Sequence, residues 1–453
     1  MTTGSPSHPP LATAAASAPR RSILLSAYAV SPERGSEPGL GWQVATRLAR
    51  YHDVTVLCSP EVEGDDYRGE ISAYAREHGA VAGLTFHYVE PPWLSRWLQR
   101  PGGSPLRPLY YVGYAAWQRA AYREACRLHA RVGFDLAHQF NLSGYREPGY
   151  LWRLGLPFVW GPIGGASNIP WSCFAGFPPR ERLFYGARNL VNRLHMHAGP
   201  TSRRCRRAAA VARSHGLIWG ISADDCRMVN TCWRCPAEAM LETGAAVQPA
   251  ARVRTYDGRR PLRLVWSGVH IGRKALPVLL EALARLEADP ANPAVELVVL
   301  GEGPQTPRWQ ALARRLGVAE CVTWAGRLPR DQAMAYVAEA DLFVHTSLLE
   351  GTPHAVIEAL SLGVPVLCHD ACGMGAAVDA RCGGKVALRD ADTSVQGFAR
   401  WVGRLARDPA ELQQLSRGAL ARADELSWDR KVEQIVAGYA TLLGSTTKCE
   451  ART

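Results

Sequence analysis

Residues 341–367 constrain the fold of this chain most, because they alternate between the pattern of a buried strand and that of an amphipathic helix. The apolar run 341–345 predicts a short strand, which a loop follows. Apolar residues spaced for one helical face predict a helix over 352–361, and Gly363 ends it. Residues 364–367 then enter a second buried strand. Strand, helix and strand in this order predict a parallel sheet and an α/β fold.

Two glutamates lie near the start of that predicted helix. Glu350 stands in the loop before it, and Glu358 lies about two turns in, ~12 Å further along the axis. The amides of Gly351 and Thr352 open the helix, where a phosphate is favoured. One carboxylate could hold sugar hydroxyls and the other a ribose, so the stretch predicts a nucleotide-sugar site. The alternative is that both glutamates only complement the helix dipole or form surface ion pairs.

A longer ordered pattern surrounds the two glutamates. It reads S-x-x-E-G-x-P-x-x-x-x-E-A-x-x-x-G-x-P-V and includes Ser347, Glu350, Gly351, Pro353, Glu358, Ala359, Gly363, Pro365 and Val366. This pattern resembles the donor-site signature of retaining glycosyltransferases of the GT-B fold, family 4. The resemblance implies two Rossmann-like domains facing a cleft, with a C-terminal helix that crosses back to the first domain. It also implies that Glu350 contacts the donor sugar and that Glu358 binds the ribose.

A cation is expected at the donor, because a leaving nucleoside diphosphate gathers negative charge. The resemblance implies an Arg directly after a Gly that follows the domain's first strand, and a Lys six residues after that Gly. Here Gly268 is followed by Val269, and Lys274 stands at the second position. Lys274 is therefore the expected catalytic cation, with Arg273 or His270 in place of the missing Arg. Gly268 and Arg273 are expected donor contacts.

The first half of the chain opens with the same alternation. Residues 21–30 predict a strand, and the loop after it contains Gly39 and Gly41, which let a backbone approach a ligand closely. A helix is predicted over 42–51. The loop lacks the G-x-G-x-x-G order of a dinucleotide-binding domain. The resemblance implies instead that this loop faces the cleft near the donor phosphates, so both glycines are expected donor contacts.

His138 follows the strand predicted at 134–137. The resemblance implies a catalytic histidine near this point, close to the donor sugar, although the commonest pattern has it two residues later, at Phe140 here. The segments GSEPGLGW, GYREPGYLW and VWGPIGG resemble a bacterial subgroup of family 4 associated with surface polysaccharides. This implies a glycan or lipid-linked acceptor, with a soluble small-molecule acceptor as the alternative.

Composition shifts and periodicity divide the chain into five parts. The first 20 residues are rich in Pro, Ala, Ser and Thr and lack the ordered parts of a secretion signal. No run reaches membrane-spanning length, so we expect a cytoplasmic protein. The predicted parts are a disordered tail (1–20), an acceptor-side Rossmann-like domain (21–248), a linker (249–260), a nucleotide-sugar-binding Rossmann-like domain (261–425) and a helix that returns to the first domain (426–443).

The net charge of +11 favours anionic partners. Residues 91–135 carry seven arginines and two acids with interleaved Trp and Tyr, and residues 180–213 carry nine arginines and one acid. Such segments suit peripheral contact with an anionic membrane at its inner face. They also suit a solvated surface whose aromatic side chains pack inward, or nucleic-acid stacking. Since charge and aromatic–arginine segments alone support nucleic acid, we expect no nucleic-acid partner.

No cofactor is expected besides the nucleotide-sugar substrate. Cys226, Cys232 and Cys235 cluster, but a single Cys-x-x-Cys without a second pair gives little support to a zinc or redox site, and we assign no metal. The resemblance implies that the leaving phosphate oxygen takes the acceptor proton, so no protein base is required. The missing Arg and the displaced histidine leave a catalytically impaired GT-B scaffold as the alternative to an active transferase.

Overall fold

The structure is a computed structural model of the 453-residue chain. It describes residues 19–98, 109–197, 200–289, 292–351 and 353–450, with the backbone alone at 197, 200–201 and 445–450. Thr352 and nearly all of the predicted N-terminal tail lie outside the described residues.

The first half of the chain folds around a seven-stranded sheet whose neighbouring strands are all parallel. Its central strands are buried on both faces, as expected where helices cover a parallel sheet on both sides. The strands in this half are β1 (Ser22–Ala27), β2 (Asp53–Cys58), β3 (Glu61–Val62), β4 (Asp65–Asp66), β5 (Leu84–Tyr88), β6 (Leu136–Asn141), β7 (Phe158–Ile163), β8 (Gly216–Gly220) and β9 (Glu238–Ala239). The sheet order is β5-β2-β1-β6-β7-β8-β9, and β3 and β4 form a separate hairpin.

The second half forms a six-stranded parallel sheet. Its strands are β10 (Leu262–Ser267), β11 (Val295–Leu300), β12 (Val322–Gly326), β13 (Leu342–His345), β14 (Val366–His369) and β15 (Gly383–Val386). The order is β12-β11-β10-β13-β14-β15. The chain order reverses between β10 and β13, so the loops that follow these two strands lie side by side. Ligands of doubly wound sheets bind at such a point.

Helices pack on both faces of each sheet. Alternate residues of β1 enter two separate cores, Leu24 on one face and Ile23 with Leu25 on the other. Among the described residues, the helices of the first half are α1 (Ser36–Leu48), α2 (Tyr67–His78), α3 (Trp93–Leu98), α4 (Tyr110–Val132), α5 (Pro179–His197), α6 (Pro200–His215) and α7 (Ala223–Cys232). The others are α8 (Leu276–Glu287), α9 (Thr306–Arg315), α10 (Arg330–Glu339), α11 (His354–Ser361), α12 (Cys372–Ala377), α13 (Ala391–Arg407), α14 (Pro409–Glu425) and α15 (Trp428–Glu450).

The last helix, α15, returns to the first half of the chain. Its apolar residues Trp428, Ile435 and Tyr439 are buried in one cluster with Trp42 and Val44 of α1. The predicted architecture of two Rossmann-like units facing a cleft, with a C-terminal helix crossing back, is therefore confirmed.

The predicted loop after β1 is wrong in detail, because α1 begins at Ser36 rather than at residue 42. Gly39 and Gly41 are helical residues and not loop residues. A Cβ on Gly41 would lie 2.5 Å from the carbonyl oxygen of Ala29, so glycine there lets α1 pack closely on the end of β1. Close packing outweighs the modest cost of glycine in a helix.

The aromatic and basic segment 91–135 divides between core and surface. Tyr114 and Trp117 of α4 are fully buried, and the Trp117 indole donates to the carbonyl oxygen of Val89 at 3.0 Å. Trp93 and Tyr111 are exposed. The expectation of an interfacial surface thus fails for the two buried rings. Among the described helices, none is long and apolar enough to cross a membrane.

Candidate active site

Two loops meet at the carboxyl edge of the second sheet, one after β10 and one after β13. The Leu348 amide donates to the carbonyl oxygen of Arg273 at 2.8 Å. The hydroxyl of Thr346 donates to the carbonyl oxygen of Lys274 at 2.7 Å and accepts from the Trp266 indole at 2.9 Å. These bonds fix the position of one loop against the other. Lys274 and Glu350, which are 76 positions apart in sequence, are therefore held within contact distance.

Glu350, Lys274 and Arg273 form one charged cluster on these loops. The Glu350 carboxylate accepts from Lys274 Nζ at 2.6 Å and from the Arg273 guanidinium at 2.8 Å. Arg273 also donates to the carbonyl oxygen of Leu349 at 2.7 Å. Two cations against one carboxylate leave the cluster with a net positive charge, which suits a diphosphate.

Burial and charge act in opposite directions on this cluster. Burial alone would raise the pKa of Glu350, but Lys274 and Arg273 outweigh it and hold the pKa at about 2. Burial lowers the pKa of Lys274, and Glu350 opposes that shift. The carboxylate is therefore ionised at neutral pH and keeps both cations in place.

Gly268 has a packing role beside the cluster. It follows β10, and its amide donates to the Leu300 carbonyl oxygen at 3.1 Å. The Lys274 side chain passes over it, with Cδ and Cε 3.5 Å from the place of an added Cβ. The described contacts thus place Gly268 under the lysine. The alternative cation, His270, is buried with Trp266 and Trp309, and its Nδ1 lies 2.7 Å from the hydroxyl of Thr306.

The charged cluster opens into a cleft of about 410 Å³ between the two halves of the chain. Arg273, Glu350 and Gly351 line it from the second half. From the first half the lining includes Tyr111, Ser143, Gly164, Gly165, Phe184, Arg188, Asp225 and Glu242. A pocket bounded by both halves can hold a donor on one wall and an acceptor on the other.

The wall from the first half is held by the half-buried Arg188 and the buried Asp225. Arg188 of α5 donates to the carbonyl oxygens of Ser167 and Gly165 at 2.9 Å each. Asp225 accepts from the Ala166 amide at 3.0 Å, and burial raises its pKa to about 6. These contacts fix the glycine-containing loop after β7. Arg188 and Asp225 were not predicted from the sequence, because neither belongs to a motif that marks it.

Two further acids approach the cleft. Glu242 lines it, and burial together with the nearby Glu242 charge raises the pKa of Glu37 to about 7. The sequence offered a weak signal for Glu37, because it belongs to the glycine segment that was expected to face the cleft. It offered none for Glu242.

Glu358 is not among the described residues that line this cleft. It lies on α11, and its carboxylate accepts from Arg330 at 2.6 Å. The predicted helix start is also displaced, since α11 begins at His354 with Pro353 as its N-cap. Gly351 therefore precedes the helix and does not form its first turn. Its place in the cleft comes from the bend after Glu350.

His138 is a core residue, and the expectation that it reaches the donor sugar is wrong for this structure. Its side chain is fully buried in β6. Nε2 donates to the Gly161 carbonyl oxygen at 2.7 Å, and Nδ1 accepts from the Tyr439 hydroxyl at 2.6 Å. Burial lowers its pKa to about 4. The neutral ring ties β6 to β7 and α15. Gly39 and Gly41, as helical residues, are likewise not found among the described cleft-lining residues.

The three clustered cysteines are free thiols, and Cys226 and Cys235 are buried. Within the described ranges, no group of three or more His, Cys, Asp or Glu side chains is arranged to hold a metal ion.

Comparison with known proteins assigns the family. The model described as glycosyl transferases group 1 matches residues 260–419. The 2-deoxystreptamine glucosyltransferase of Streptomyces kanamyceticus is 32% identical over 348 residues, which span 73% of this chain and 83% of that protein. The chain belongs to the group 1 glycosyltransferases. The prediction of a glycosyltransferase is thereby confirmed at the level of the family.

Other relatives match this chain over a smaller part of their own length. A D-inositol 3-phosphate glycosyltransferase of Segniliparus rotundus is 31% identical over 218 residues, which span 46% of this chain and 43% of the relative. The chain spans less than half the length of several of these relatives. Anabaena HepE in complex with UDP is similar in structure, with a TM-score of 0.56 at 13% identity over 93% of this chain and 100% of HepE. The likeness to HepE shows the GT-B fold.

Proposed function

We propose that this protein is a retaining, family 4 glycosyltransferase that moves a sugar from a nucleotide-sugar donor to an acceptor bound in the cleft. The observation that carries the proposal is the cluster of Glu350, Lys274 and Arg273, which lies at the switch point of the second sheet and opens into the cleft. A net positive cluster at the carboxyl edge of a parallel sheet suits the diphosphate of such a donor.

The cluster divides the work of sugar transfer between its members. Lys274 and Arg273 neutralise the charge that builds on the leaving diphosphate as the glycosidic bond breaks. Glu350 holds both cations and contacts the donor sugar, while Glu358 binds the ribose. The leaving phosphate oxygen takes the acceptor proton, so the reaction requires no protein base. HepE, which shares the fold, binds UDP, and this supports a uridine nucleotide as the first donor to test.

For the acceptor we propose a glycan or a lipid-linked sugar of surface polysaccharide or glycolipid biosynthesis, used in the cytoplasm at the inner membrane face. The basic segments of the acceptor-side half support this proposal. A soluble acceptor is the second candidate, because the relative matched over 83% of its length is named for glucosylation of 2-deoxystreptamine. A catalytically impaired scaffold is the third, because His138 is buried and Val269 replaces the expected arginine.

A thermal-shift screen with UDP, GDP and ADP tests the donor site. A nucleotide at about 100 times its Kd should stabilise the wild-type protein by ~2.7 kcal/mol. Lys274→Ala removes a diphosphate contact and should bind that nucleotide less tightly, whereas Lys385→Ala, at an exposed lysine paired with Asp370, should bind as wild type. Equal nucleotide binding by wild type and Lys274→Ala would remove Lys274 from the proposed site.

A further inference from the structure

Helix α5 is built with its polar side inward and its apolar side outward. Its buried side chains are Tyr185, Asn189, Asn192 and His195 among those described, and all but Tyr185 are strongly polar. Its exposed apolar side chains, with their exposed fractions, are Leu183 (74%), Phe184 (63%), Leu190 (55%), Val191 (48%) and Leu194 (59%). At 100° per residue these five fall on one face of the helix. A helix on a water-soluble protein normally shows the opposite arrangement, with its apolar stripe against the core.

The inward side of α5 is fixed by hydrogen bonds. Asn189 donates to the Ile169 carbonyl oxygen at 2.7 Å, and Asn192 donates to the Gly165 carbonyl oxygen at 3.2 Å. The Tyr145 hydroxyl donates to Asn192 Oδ1 at 3.0 Å. Rotation of the helix to bury its apolar stripe would break all of these bonds. The exposure of the stripe is therefore imposed by the fold.

The apolar surface extends from α5 to the mouth of the cleft. Trp171 is exposed and packs against Gly186 of α5. Phe184 of α5 and Tyr111 of α4 are both exposed and both line the cleft. Contiguous exposed apolar surface marks a binding site for a membrane or another protein. Its place at the cleft mouth connects that partner with the acceptor.

The charge around the stripe selects the partner. Residues 180–213, which span nearly all of α5 and α6, carry nine arginines and one acid. The acid is Glu181, which accepts from the Gly272 amide of the other half at 2.8 Å. Arg180, Arg182 and Arg193 are exposed on α5. Two copies of this face would bring like charges together, whereas anionic lipid headgroups complement them.

We propose that α5 is an interfacial helix that docks the protein on an anionic membrane. Its apolar stripe lies at the boundary between headgroups and acyl chains, and its arginines contact lipid phosphates. The acceptor is then a lipid-linked sugar whose headgroup enters the cleft between Tyr111 and Phe184. The inference rests on the proposed function for this acceptor, but the docking itself does not require sugar transfer.

Vesicle co-sedimentation of the full chain tests the docking. The test variant combines Leu183→Gln, Leu190→Gln and Leu194→Gln, and the matched control combines Val132→Gln with Val247→Gln, two exposed valines outside α5. We expect wild type and control to bind phosphatidylcholine vesicles that contain phosphatidylglycerol, more weakly as salt is added. The triple variant should bind these vesicles about 100-fold less tightly. Its nucleotide-induced thermal shift should stay that of wild type, which shows that it is folded.

Three outcomes would overturn the inference. One is equal vesicle binding by wild type and the triple variant. Another is no preference of the wild type for anionic over neutral vesicles at low salt. The third is a lipid-free dimer that the triple variant converts to a monomer, because a second copy would then cover the stripe. Failure of the proposed function would look different, since it would remove nucleotide binding while vesicle binding through α5 persisted.

Discussion

The two walls of the cleft are built in different ways. The wall from the second half carries its chemistry on loops that directly follow β10 and β13, and ion pairs at 2.6 and 2.8 Å hold it together. The wall from the first half is a loop after β7 that Arg188 and Asn192 of α5 hold through its carbonyl oxygens. After the roles proposed for them, we call the first the donor wall and the second the acceptor wall. The donor wall depends on short motifs in two loops, whereas the acceptor wall depends on which side of a helix faces inward.

This difference separates chemistry from positioning. A substitution in the donor wall should change the rate first, because Arg273 and Glu350 line the cleft and Lys274 is paired with Glu350. A substitution on the inner side of α5 should change stability first, because those side chains are buried and hydrogen-bonded.

The largest expected effect is on turnover, from Glu350→Gln. The change keeps the shape of the side chain but removes the charge that holds Lys274 and Arg273 in place. We expect kcat to fall by about 100-fold, or ~2.7 kcal/mol, because the proposed contact with the donor sugar loses its charge and the two cations lose their anchor. Glu296→Gln, at an exposed glutamate of β11, is the control and should leave kcat unchanged. Turnover at the wild-type rate in the Glu350 variant would show that the charge of Glu350 takes no part in catalysis.

The next effect is on stability, from Asn192→Ala on the inner side of α5. The variant leaves the Tyr145 hydroxyl and the Gly165 carbonyl oxygen without this partner. We expect the free energy of unfolding to fall by about 2 kcal/mol, read as a lower melting temperature in calorimetry. Arg193→Ala, at the exposed neighbouring position, should stay within about 0.5 kcal/mol. If the two variants have the same melting temperature, the inner face of α5 does not hold the acceptor wall in place.

The smallest effect concerns Glu358. If this carboxylate binds the ribose, Glu358→Ala should weaken nucleotide affinity about tenfold, by ~1.4 kcal/mol, with kcat nearly unchanged. If it serves only the ion pair with the exposed Arg330, loss of the pair should have little effect on nucleotide affinity. Titration calorimetry with the nucleotide found in the thermal-shift screen separates the two, and Arg330→Ala shows what the ion pair alone contributes.

The architecture could be predicted because its signals are local. Alternating strands and helices require parallel sheets, and the loops after β10 and β13 meet because parallel strands end at the same edge. The family resemblance, and not the strand pattern, singled out Lys274 and Glu350 in those loops, and the structure brings the two side chains together. The start of α1 could not be predicted from its glycines, since packing of α1 on β1 overrides their low helix propensity.

The roles of His138 and Arg188 depend on distant parts of the chain. Tyr439, which bonds to His138, lies 301 residues later in the sequence. No local pattern reveals that α15 will cover β6, so a family resemblance assigned a core histidine to the cleft. Arg188 is one of many arginines in a basic segment. Only the fold shows that this one donates to two carbonyl oxygens while its neighbouring arginines are exposed.

The chain passes between its two halves at two places that lie side by side. Ala245 donates to the Leu426 carbonyl oxygen at 2.8 Å and accepts from the Trp428 amide at 3.3 Å. Two adjoining crossings behave as a hinge, about which one half can turn without unfolding. Opening the hinge must break the bond from Ser172 to the Arg389 carbonyl oxygen, at 2.5 Å, and that between Glu181 and the Gly272 amide. It must also separate Phe174, Phe177 and Tyr185 from the core of the second half, in which they are buried. The segment around α5, which is proposed to meet the membrane, therefore also holds the two walls of the cleft together.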